Sequence, residues 1–246
     1  MEIKKFKKLD EMRYKVYYEQ DSIILYEEVI LKYDLLLSRV LDIKVLDNIL
    51  KDNRFYEVYY KALNFVKNRR RTIKEVFNYL VTKGYEEDSI YEVVGKLEGL
   101  NILNDYEYID AFIHDKLMLS FDGPYKIRRC LINKGISKEK ADEKIILIDK
   151  DIFITKINKI ISKKLLLNNR LSVNAFKKKV MESLYILGYG YNLPREVLEG
   201  LSFDEADIYI KEESKIRIRY EKRFKDEELE NEIKKYMYSN GFIISE

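Results

Sequence analysis

The sequence predicts a mainly α-helical protein built from tandem three-helix repeats, each resembling a helix-turn-helix. Only nine glycines and two prolines occur in 246 residues, which disfavours a β fold with many tight turns. Apolar residues recur with the 3.6-residue spacing of amphipathic helices. Four glycines, Gly84, Gly135, Gly188 and Gly241, end such segments at intervals of 51, 53 and 53 residues. A period of this length indicates a tandem array.

The repeating unit is clearest between Thr72 and Tyr85, where the chain reads TIKEVFNYLVTKGY. Thr72 and Glu75 have the spacing of a capping box, which predicts a helix start. One apolar stripe follows at Ile73, Val76, Phe77, Leu80 and Val81. Gly84 predicts the helix end, because a left-handed residue after the last turn is usually glycine.

Residues 1–55 differ from the array and are predicted to form a small α+β cap. Ile3–Lys8, the alternating Tyr14, Val16 and Tyr18, and Ser22–Tyr26 have the pattern of three short strands. Helices are expected over Glu27–Tyr33 and Val40–Lys51. We expect the cap to pack on the first repeat, because a domain of this size is marginally stable alone.

The array divides into a first repeat at 56–103, a second at 104–149, a third at 150–201 and a truncated fourth at 202–246. In the first repeat, helices are predicted over Glu57–Val66, from Thr72, and from an N-cap at Asp88. The second repeat is predicted to begin at an Asp105 N-cap, to place Pro124 at the first position of its second helix, and to cap its third with Ser137.

The third repeat is predicted to start near Asp151 and to end with a short helix over Leu193–Leu201, with Pro194 at its first position. Ser202 and Glu205 predict a capping box for the fourth repeat, whose second helix spans Asp226–Asn240. Modules of this kind contact mainly their neighbours, so we expect an elongated curved array.

Specific residues within the first two repeats match a known family pattern. They are Ala62-Leu63, Arg69-Arg70-Arg71, Glu75-Val76, Leu80, Lys83-Gly84-Tyr85, Leu100–Asp105, Tyr108, Ala111, Phe112, Gly123-Pro124, Ile127, Leu131 and Lys134-Gly135-Ile136. Together they resemble RecX regulatory proteins, in the long form with an N-terminal extension found in low-G+C Gram-positive bacteria. Asn104 departs from a more usual aspartate, and Leu187 departs from a usual basic residue.

The resemblance implies a cytoplasmic regulator of the RecA recombinase in recombination, DNA repair and the SOS response. RecX proteins bind along the filament of RecA on single-stranded DNA and modulate, mainly by inhibition, its extension, ATP hydrolysis and strand exchange. We expect a monomer without a cofactor, and non-specific contact with single-stranded DNA stays open. An array of similar modules suits a periodic partner, because successive weak contacts add as avidity.

Basic clusters near the second helix of three repeats are the candidate sites for a protein partner or DNA. They comprise Arg69, Arg70, Arg71, Lys74, Lys126, Arg128, Arg129, Lys177, Lys178 and Lys179. The alternative interpretation is a set of solvated helix faces, since lysine and arginine are usually exposed. A second functional alternative is a DNA-binding regulator made of tandem helix-turn-helix modules, and a third is a passive scaffold. No cluster of Asn or Gln suited to adenine accompanies the arginines, which disfavours sequence-specific binding.

The sequence predicts neither an enzyme nor a metal site. It contains no GxxxxGK[ST], GxGxxG, HExxH or CxxC motif. His114 is the single histidine and has no neighbouring nucleophile, so a structural or surface role is expected. Cys130 is expected to pack in the core. The net charge of +3 does not indicate a general nucleic-acid binder. No apolar run approaches 18 residues, and the N-terminus has no signal-peptide pattern, so no membrane association is expected.

Overall fold

The computed structural model describes residues 1–242, which form three strands and thirteen α-helices. The strands are β1 (Ile3–Lys8), β2 (Arg13–Tyr18) and β3 (Asp21–Tyr26). The helices are α1 (Glu27–Lys32), α2 (Leu35–Ser38), α3 (Leu46–Lys67), α4 (Ile73–Thr82), α5 (Glu87–Gly99), α6 (Asp105–Leu119), α7 (Pro124–Asn133), α8 (Lys138–Ile146), α9 (Lys150–Leu166), α10 (Val173–Ile186), α11 (Asn192–Glu199), α12 (Ala206–Tyr220) and α13 (Asp226–Ser239). Within residues 1–242, no helix combines the length and the apolar character that crossing a bilayer requires.

The N-terminal strands form an antiparallel sheet in the order β1-β2-β3, which confirms the three predicted strands. Val16 pairs with Phe6 on one side and Ile23 on the other. Val16 and Leu25 are fully buried, as alternation along a half-buried strand requires. The sheet packs in one hydrophobic core with α1 and the first turns of α3.

The prediction of two separate helices over Val40–Lys51 and Glu57–Val66 was wrong, because one helix, α3, contains residues of both and Val40–Val45 lies before it. The 22-residue α3 begins at Leu46, after a 3-10 turn at Ile43–Val45. No glycine or proline interrupts it. Asn53, in the third turn of α3, accepts a hydrogen bond from the Tyr26 backbone N–H at 2.9 Å and donates to the Ile24 carbonyl at 3.0 Å. The cap is therefore joined to the array through a continuous helix.

Helices α3, α4 and α5 pack around a second hydrophobic core, as predicted for the first repeat. Val58, Val76, Leu80 and Ile90 are fully buried there. The capping box of Thr72 and Glu75 is present. Val81, assigned to the buried stripe from sequence, is instead 43% exposed, so the buried face of α4 is narrower than predicted.

Two predicted N-caps are displaced because the aspartates act elsewhere or lie inside the helix. Helix α5 starts at Glu87, so Asp88 lies in its first turn and does not cap it. Asn104 caps α6 instead of Asp105, since its Oδ1 accepts from the Tyr106 N–H at 2.9 Å and the Glu107 N–H at 3.2 Å. Shifts of this size are common at helix boundaries.

Two later helix starts also differ from the prediction. Pro194 is the third residue of α11, not the first, although it still lies in the turn whose N–H groups have no intrahelical partner. The Ser202–Glu205 capping box does not form; Asp204 accepts from the Ala206 N–H at 3.0 Å, and the Glu205 carboxylate binds the Val173 N–H. Glu205 therefore serves α10 rather than its own helix.

The chain folds as two compact units. One contains Met1–Tyr108 with Lys134–Ile136, and the other contains Ile109–Asn133 with the chain from Ser137 onward. In the second unit, Lys156 is only 8% exposed, and its Nζ donates to the Ser120 carbonyl at 2.6 Å. A cation at the end of α6 is stabilised by the helix dipole. The finer division into repeats at 56–103, 104–149, 150–201 and 202–246 stays a proposal.

Candidate partner-binding site

Four helices share one internal register and are called the second helices here: α4, α7, α10 and α13. In each, the fourth and eighth residues are buried: Val76 and Leu80, Ile127 and Leu131, Phe176 and Val180, Leu229 and Ile233. Each second helix is followed by a glycine in the left-handed region, Gly84, Gly135, Gly188 or Gly241, with φ between 82 and 92°. The four glycine ends predicted from sequence are confirmed. We call the residue before each glycine, the glycine and the residue after it a stop.

Three of the stops lie against the N-terminus of the preceding second helix, and we call this contact a joint. In the first joint, the Thr72 hydroxyl donates to the Lys134 carbonyl at 2.7 Å. In the third, the Ser172 hydroxyl donates to the Asn240 carbonyl at 2.7 Å. In the second, Gly123 takes the same position and donates its backbone N–H to the Leu187 carbonyl at 2.7 Å. The residue before each receiving helix therefore donates to the carbonyl preceding the glycine.

Each joint requires a glycine for two reasons: its positive φ, and the close approach of the receiving helix to its Cα. A Cβ on Gly188 would lie 2.5 Å from the Lys126 backbone nitrogen, and a Cβ on Gly135 would lie 2.4 Å from the Lys74 side chain. Separations below 3.0 Å require a neighbouring atom to move. The residues after the three glycines, Ile136, Tyr189 and Phe242, are each 2% exposed. The joints are therefore tightly packed as well as hydrogen-bonded.

Charged side chains strengthen the first joint. Glu75 completes the capping box and also binds Lys134 Nζ at 2.8 Å. The hydrogen bond that Lys134 donates to Glu75 raises the pKa of Lys134 above its ordinary value. Asp105 accepts from the Ile73 N–H at 3.1 Å, at the same helix start. Acidic groups are favourable at this end of a helix because of its dipole.

The second joint contains a buried carboxylate held by two lysines. Asp122 lies 2.8 Å from Lys116 Nζ and 2.7 Å from Lys126 Nζ, with its side chain 8% exposed. Burial alone raises the pKa of Asp122, but the hydrogen bonds from the two lysines outweigh it and bring the pKa below the ordinary value. Asp122 is therefore ionised and paired beside the start of α7.

The basic residues of the first repeat differ in their accessibility. Arg69 and Arg70 are exposed in the loop before Thr72. Arg71 is half-buried, with its guanidinium 4.1 Å from the centre of the Phe65 ring, so it stabilises the fold through a cation–π contact. Lys74 is exposed at its charged end, and its methylenes contact Gly135.

In the second unit, part of the predicted basic set is occupied by internal contacts. Lys126 pairs with Asp122, and Arg128 forms a two-pronged ion pair with Asp142. The Lys177 Nζ donates to the Glu199 carbonyl at 3.3 Å. Three of the predicted residues here are exposed: Arg129, Lys178 and Lys179.

The clusters do not occupy equivalent places on their helices. Arg128 and Arg129 are the fifth and sixth residues of α7, and Lys177 and Lys178 take the same positions in α10. Arg69–Arg71 instead precede the N-cap of α4. The first cluster is therefore a loop feature rather than a copy of the other two.

A cavity of about 920 Å³ in the first unit adds two lysines, Lys61 and Lys67, that the sequence did not single out. Arg70 and Arg71 line it together with Lys61, Lys67 and the Tyr108 ring. Within residues 1–242, Lys61, Lys67 and Arg70 have no carboxylate within salt-bridge distance. The sequence shows these lysines within a helical segment. Exposed lysines are common on helices, so their position alone did not indicate a binding site.

Three further residues from the sequence analysis have defined environments. His114 is exposed on α6, and Cys130 is half-buried rather than in the core as predicted. Tyr60 stacks on Tyr26 with ring centres 5.3 Å apart, and its hydroxyl binds Glu28. Burial raises the pKa of Tyr60, assisted by that carboxylate. Tyr60 therefore contributes to packing between the cap and α3.

Comparison with known proteins finds similarity to one family of regulatory proteins. Residues 59–97 match the family model for the first three-helix domain of RecX. A Regulatory protein RecX from Streptococcus agalactiae serotype Ia is 26% identical over 227 residues, which cover 90% of this chain and 87% of the relative. Another from Lactococcus lactis subsp. lactis is 28% identical over 248 residues, covering 98% and 92%. A crystal structure of regulatory protein RecX superposes with a TM-score of 0.69 at 19% identity, covering 82% of this chain and all of the other, and so shares the fold. The chain is therefore similar to RecX regulatory proteins over most of its length, and residues 59–97 match their first three-helix domain.

Proposed function

We propose that the protein regulates the RecA recombinase in the cytoplasm. It binds, as a monomer, along the RecA filament on single-stranded DNA and mainly inhibits filament extension, ATP hydrolysis and strand exchange. The observation that carries this proposal is the similarity to regulatory proteins named RecX over about nine-tenths of the chain.

The three joints support a partner with repeating surfaces. In each joint, the residue before a second helix donates to the carbonyl that precedes a stop glycine, through a hydroxyl in two joints and a backbone N–H in one. Each module then presents a related surface. When one module binds, the next contact becomes intramolecular, and weak contacts combine into useful affinity.

The exposed basic residues are the proposed contacts. Arg69 and Arg70 lie in an exposed loop beside the cavity of the first unit, while Lys178 and Lys179 lie on α10. Exposed cationic side chains can bind acidic protein surfaces and DNA phosphates. Their replacement costs the protein little stability. Arg71, Lys74, Lys126, Arg128, Arg129 and Lys177 complete the proposed set, with a smaller effect expected where the charge is already paired.

The function is tested by measuring the ATPase of RecA on single-stranded DNA while this protein is added below stoichiometric amounts. We expect a fall in the ATPase rate and shorter filaments by electron microscopy. Unchanged rate and length across the titration would reject the proposal. Fluorescence anisotropy with single-stranded DNA alone separates direct DNA binding from binding through RecA.

The surface is tested with the double variant Arg69→Glu, Arg70→Glu. A matched control, Lys5→Glu with Lys7→Glu, makes the same charge change on exposed residues of β1. We expect the first variant to weaken filament binding by about tenfold or more, while melting temperatures of both stay near wild type. Equal loss in the two variants would attribute the effect to net charge rather than to this loop.

A further inference from the structure

The first repeat carries a stop on which no helix start is seated. Lys83, Gly84 and Tyr85 follow α4 with the same geometry as the other stops, and Gly84 has φ +83°. A Cβ built on Gly84 would meet nothing within 4 Å, unlike those on the glycines of the three joints. In the described part of the chain, neither the Lys83 nor the Gly84 carbonyl accepts a hydrogen bond.

The residue after this glycine is also less covered than its counterparts. Tyr85 is half-buried, and its hydroxyl donates to Glu57 at 3.1 Å, whereas the equivalent Ile136, Tyr189 and Phe242 are each 2% exposed. Burial raises the pKa of Tyr85 to about 12, so the hydroxyl remains a donor at neutral pH. The stop is thus formed and held in place, with an open face.

We propose that this open stop receives the N-terminal turn of a helix from the partner protein. The two filled joints that use a side chain define the chemistry of that helix. Its N-cap residue is a serine or threonine that donates its hydroxyl to the Lys83 carbonyl, as Thr72 does to Lys134 and Ser172 to Asn240. The inference rests on the proposed function, in which the partner is the RecA filament.

A second copy of this chain does not supply that helix through its own free second helix. Helix α13 is preceded by Lys225, which has no hydroxyl and makes no side-chain cap. The backbone alternative seen in the second joint requires glycine, because a Cβ on Gly123 would lie 2.6 Å from the Gly188 carbonyl carbon. Lys225 satisfies neither condition, so α13 of a second copy is not the occupant.

The test uses Gly84→Asn in the full chain. Asparagine tolerates the left-handed conformation better than other non-glycine residues, and its Cβ would lie in open space in the free protein. The asparagine side chain would clash with a seated helix. Gly99→Asn is the matched control, since Gly99 is exposed in the same repeat and a Cβ there also meets nothing within 4 Å. Gly188→Asn, in a filled joint, reports what the same substitution does when a helix is seated.

Binding is measured to RecA filaments on single-stranded DNA, alongside thermal melts and sedimentation velocity. We expect Gly84→Asn to melt near wild type and to lose about tenfold or more in affinity, with Gly99→Asn unchanged and Gly188→Asn destabilised. If wild type fails to bind, the proposed function itself fails. If wild type binds and Gly84→Asn binds equally well, the open stop is not a docking site. Self-association that Gly84→Asn abolishes without changing filament binding would also overturn the inference.

Discussion

Thr72 has two roles that can be separated by substitution. Its side-chain oxygen accepts from the Glu75 N–H at 3.1 Å and caps α4, while its hydroxyl hydrogen goes to the Lys134 carbonyl at 2.7 Å. The residue is fully buried. Thr72→Ala removes both bonds, and Thr72→Ser keeps both groups while removing one methyl.

The size of the effect follows from these two bonds. Loss of a Ser or Thr N-cap costs about 0.5–2 kcal/mol. A buried carbonyl left without its donor costs about 1–3 kcal/mol more. We therefore expect Thr72→Ala to lower the free energy of unfolding by about 1.5–5 kcal/mol. Thr72→Ser should lower it by less than about 1.5 kcal/mol, the cost of a small core deletion.

Urea unfolding followed by circular dichroism measures the total effect, and amide hydrogen exchange locates it. The slowed exchange of α4 should be lost first in Thr72→Ala, because the substitution removes contacts at that helix start. Exchange is needed because two compact units need not unfold in one step. If Thr72→Ala stays within about 0.5 kcal/mol of wild type, the ordinary range of surface substitutions, the joint contributes nothing to stability.

Two further predictions concern the second joint. Gly188→Ala should destabilise by about 3 kcal/mol or more in thermal melts, from a strained φ of +85° and a Cβ 2.5 Å from the Lys126 nitrogen. Gly200→Ala, whose Cβ meets nothing within 4 Å, should be neutral or slightly stabilising. Equal losses of stability at both sites would contradict the tight packing described at Gly188. Asp122→Asn should cost about 1–3 kcal/mol at pH 7 through its charged hydrogen bonds. Because the pKa of Asp122 is depressed in the folded state, its contribution is complete above its unfolded pKa and is lost as pH falls through the folded pKa. The difference from wild type should therefore shrink in unfolding experiments below about pH 4, and a constant difference would show that charge is not responsible.

The repeat was predictable from sequence, whereas the joint was not. Gly84, Gly135, Gly188 and Gly241 mark helix ends by a local rule, since a left-handed residue after a helix strongly favours glycine. The joint depends on which N-terminus each stop contacts, and that contact lies 62 residues away for Thr72. Because Thr72 already caps α4, the sequence gives no sign that its hydroxyl also donates to the Lys134 carbonyl.

The same limit explains the misplaced N-caps. Asp105 was predicted as the N-cap of α6 and Glu205 as the capping-box partner of Ser202, yet each accepts from the first N–H of an earlier second helix. Carboxylates are favourable at any helix start within reach. Sequence spacing shows only the nearest start, so a partner 32 residues earlier was missed. The exposed basic residues could be predicted from sequence, because lysine and arginine are usually exposed. Ion pairs such as that of Arg128 with Asp142 could not be predicted, because they depend on the tertiary structure.

The joints also bear on the alternative of a DNA-reading helix-turn-helix array. A recognition helix contacts bases with its N-terminal residues, which must therefore be accessible. At the starts of α4 and α10, Thr72 and Ser172 are fully buried beneath the stop of a later helix, and Gly123 before α7 is buried as well. Among the second helices in residues 1–242, α13 has no stop on its N-terminus, and its first turn holds three acidic residues, Asp226, Glu227 and Glu228, which repel phosphate. Second helices therefore serve to connect modules, and base reading by them would require the joints to open. Tight duplex binding with a preferred sequence, undiminished when a disulfide locks a joint closed, would refute this argument.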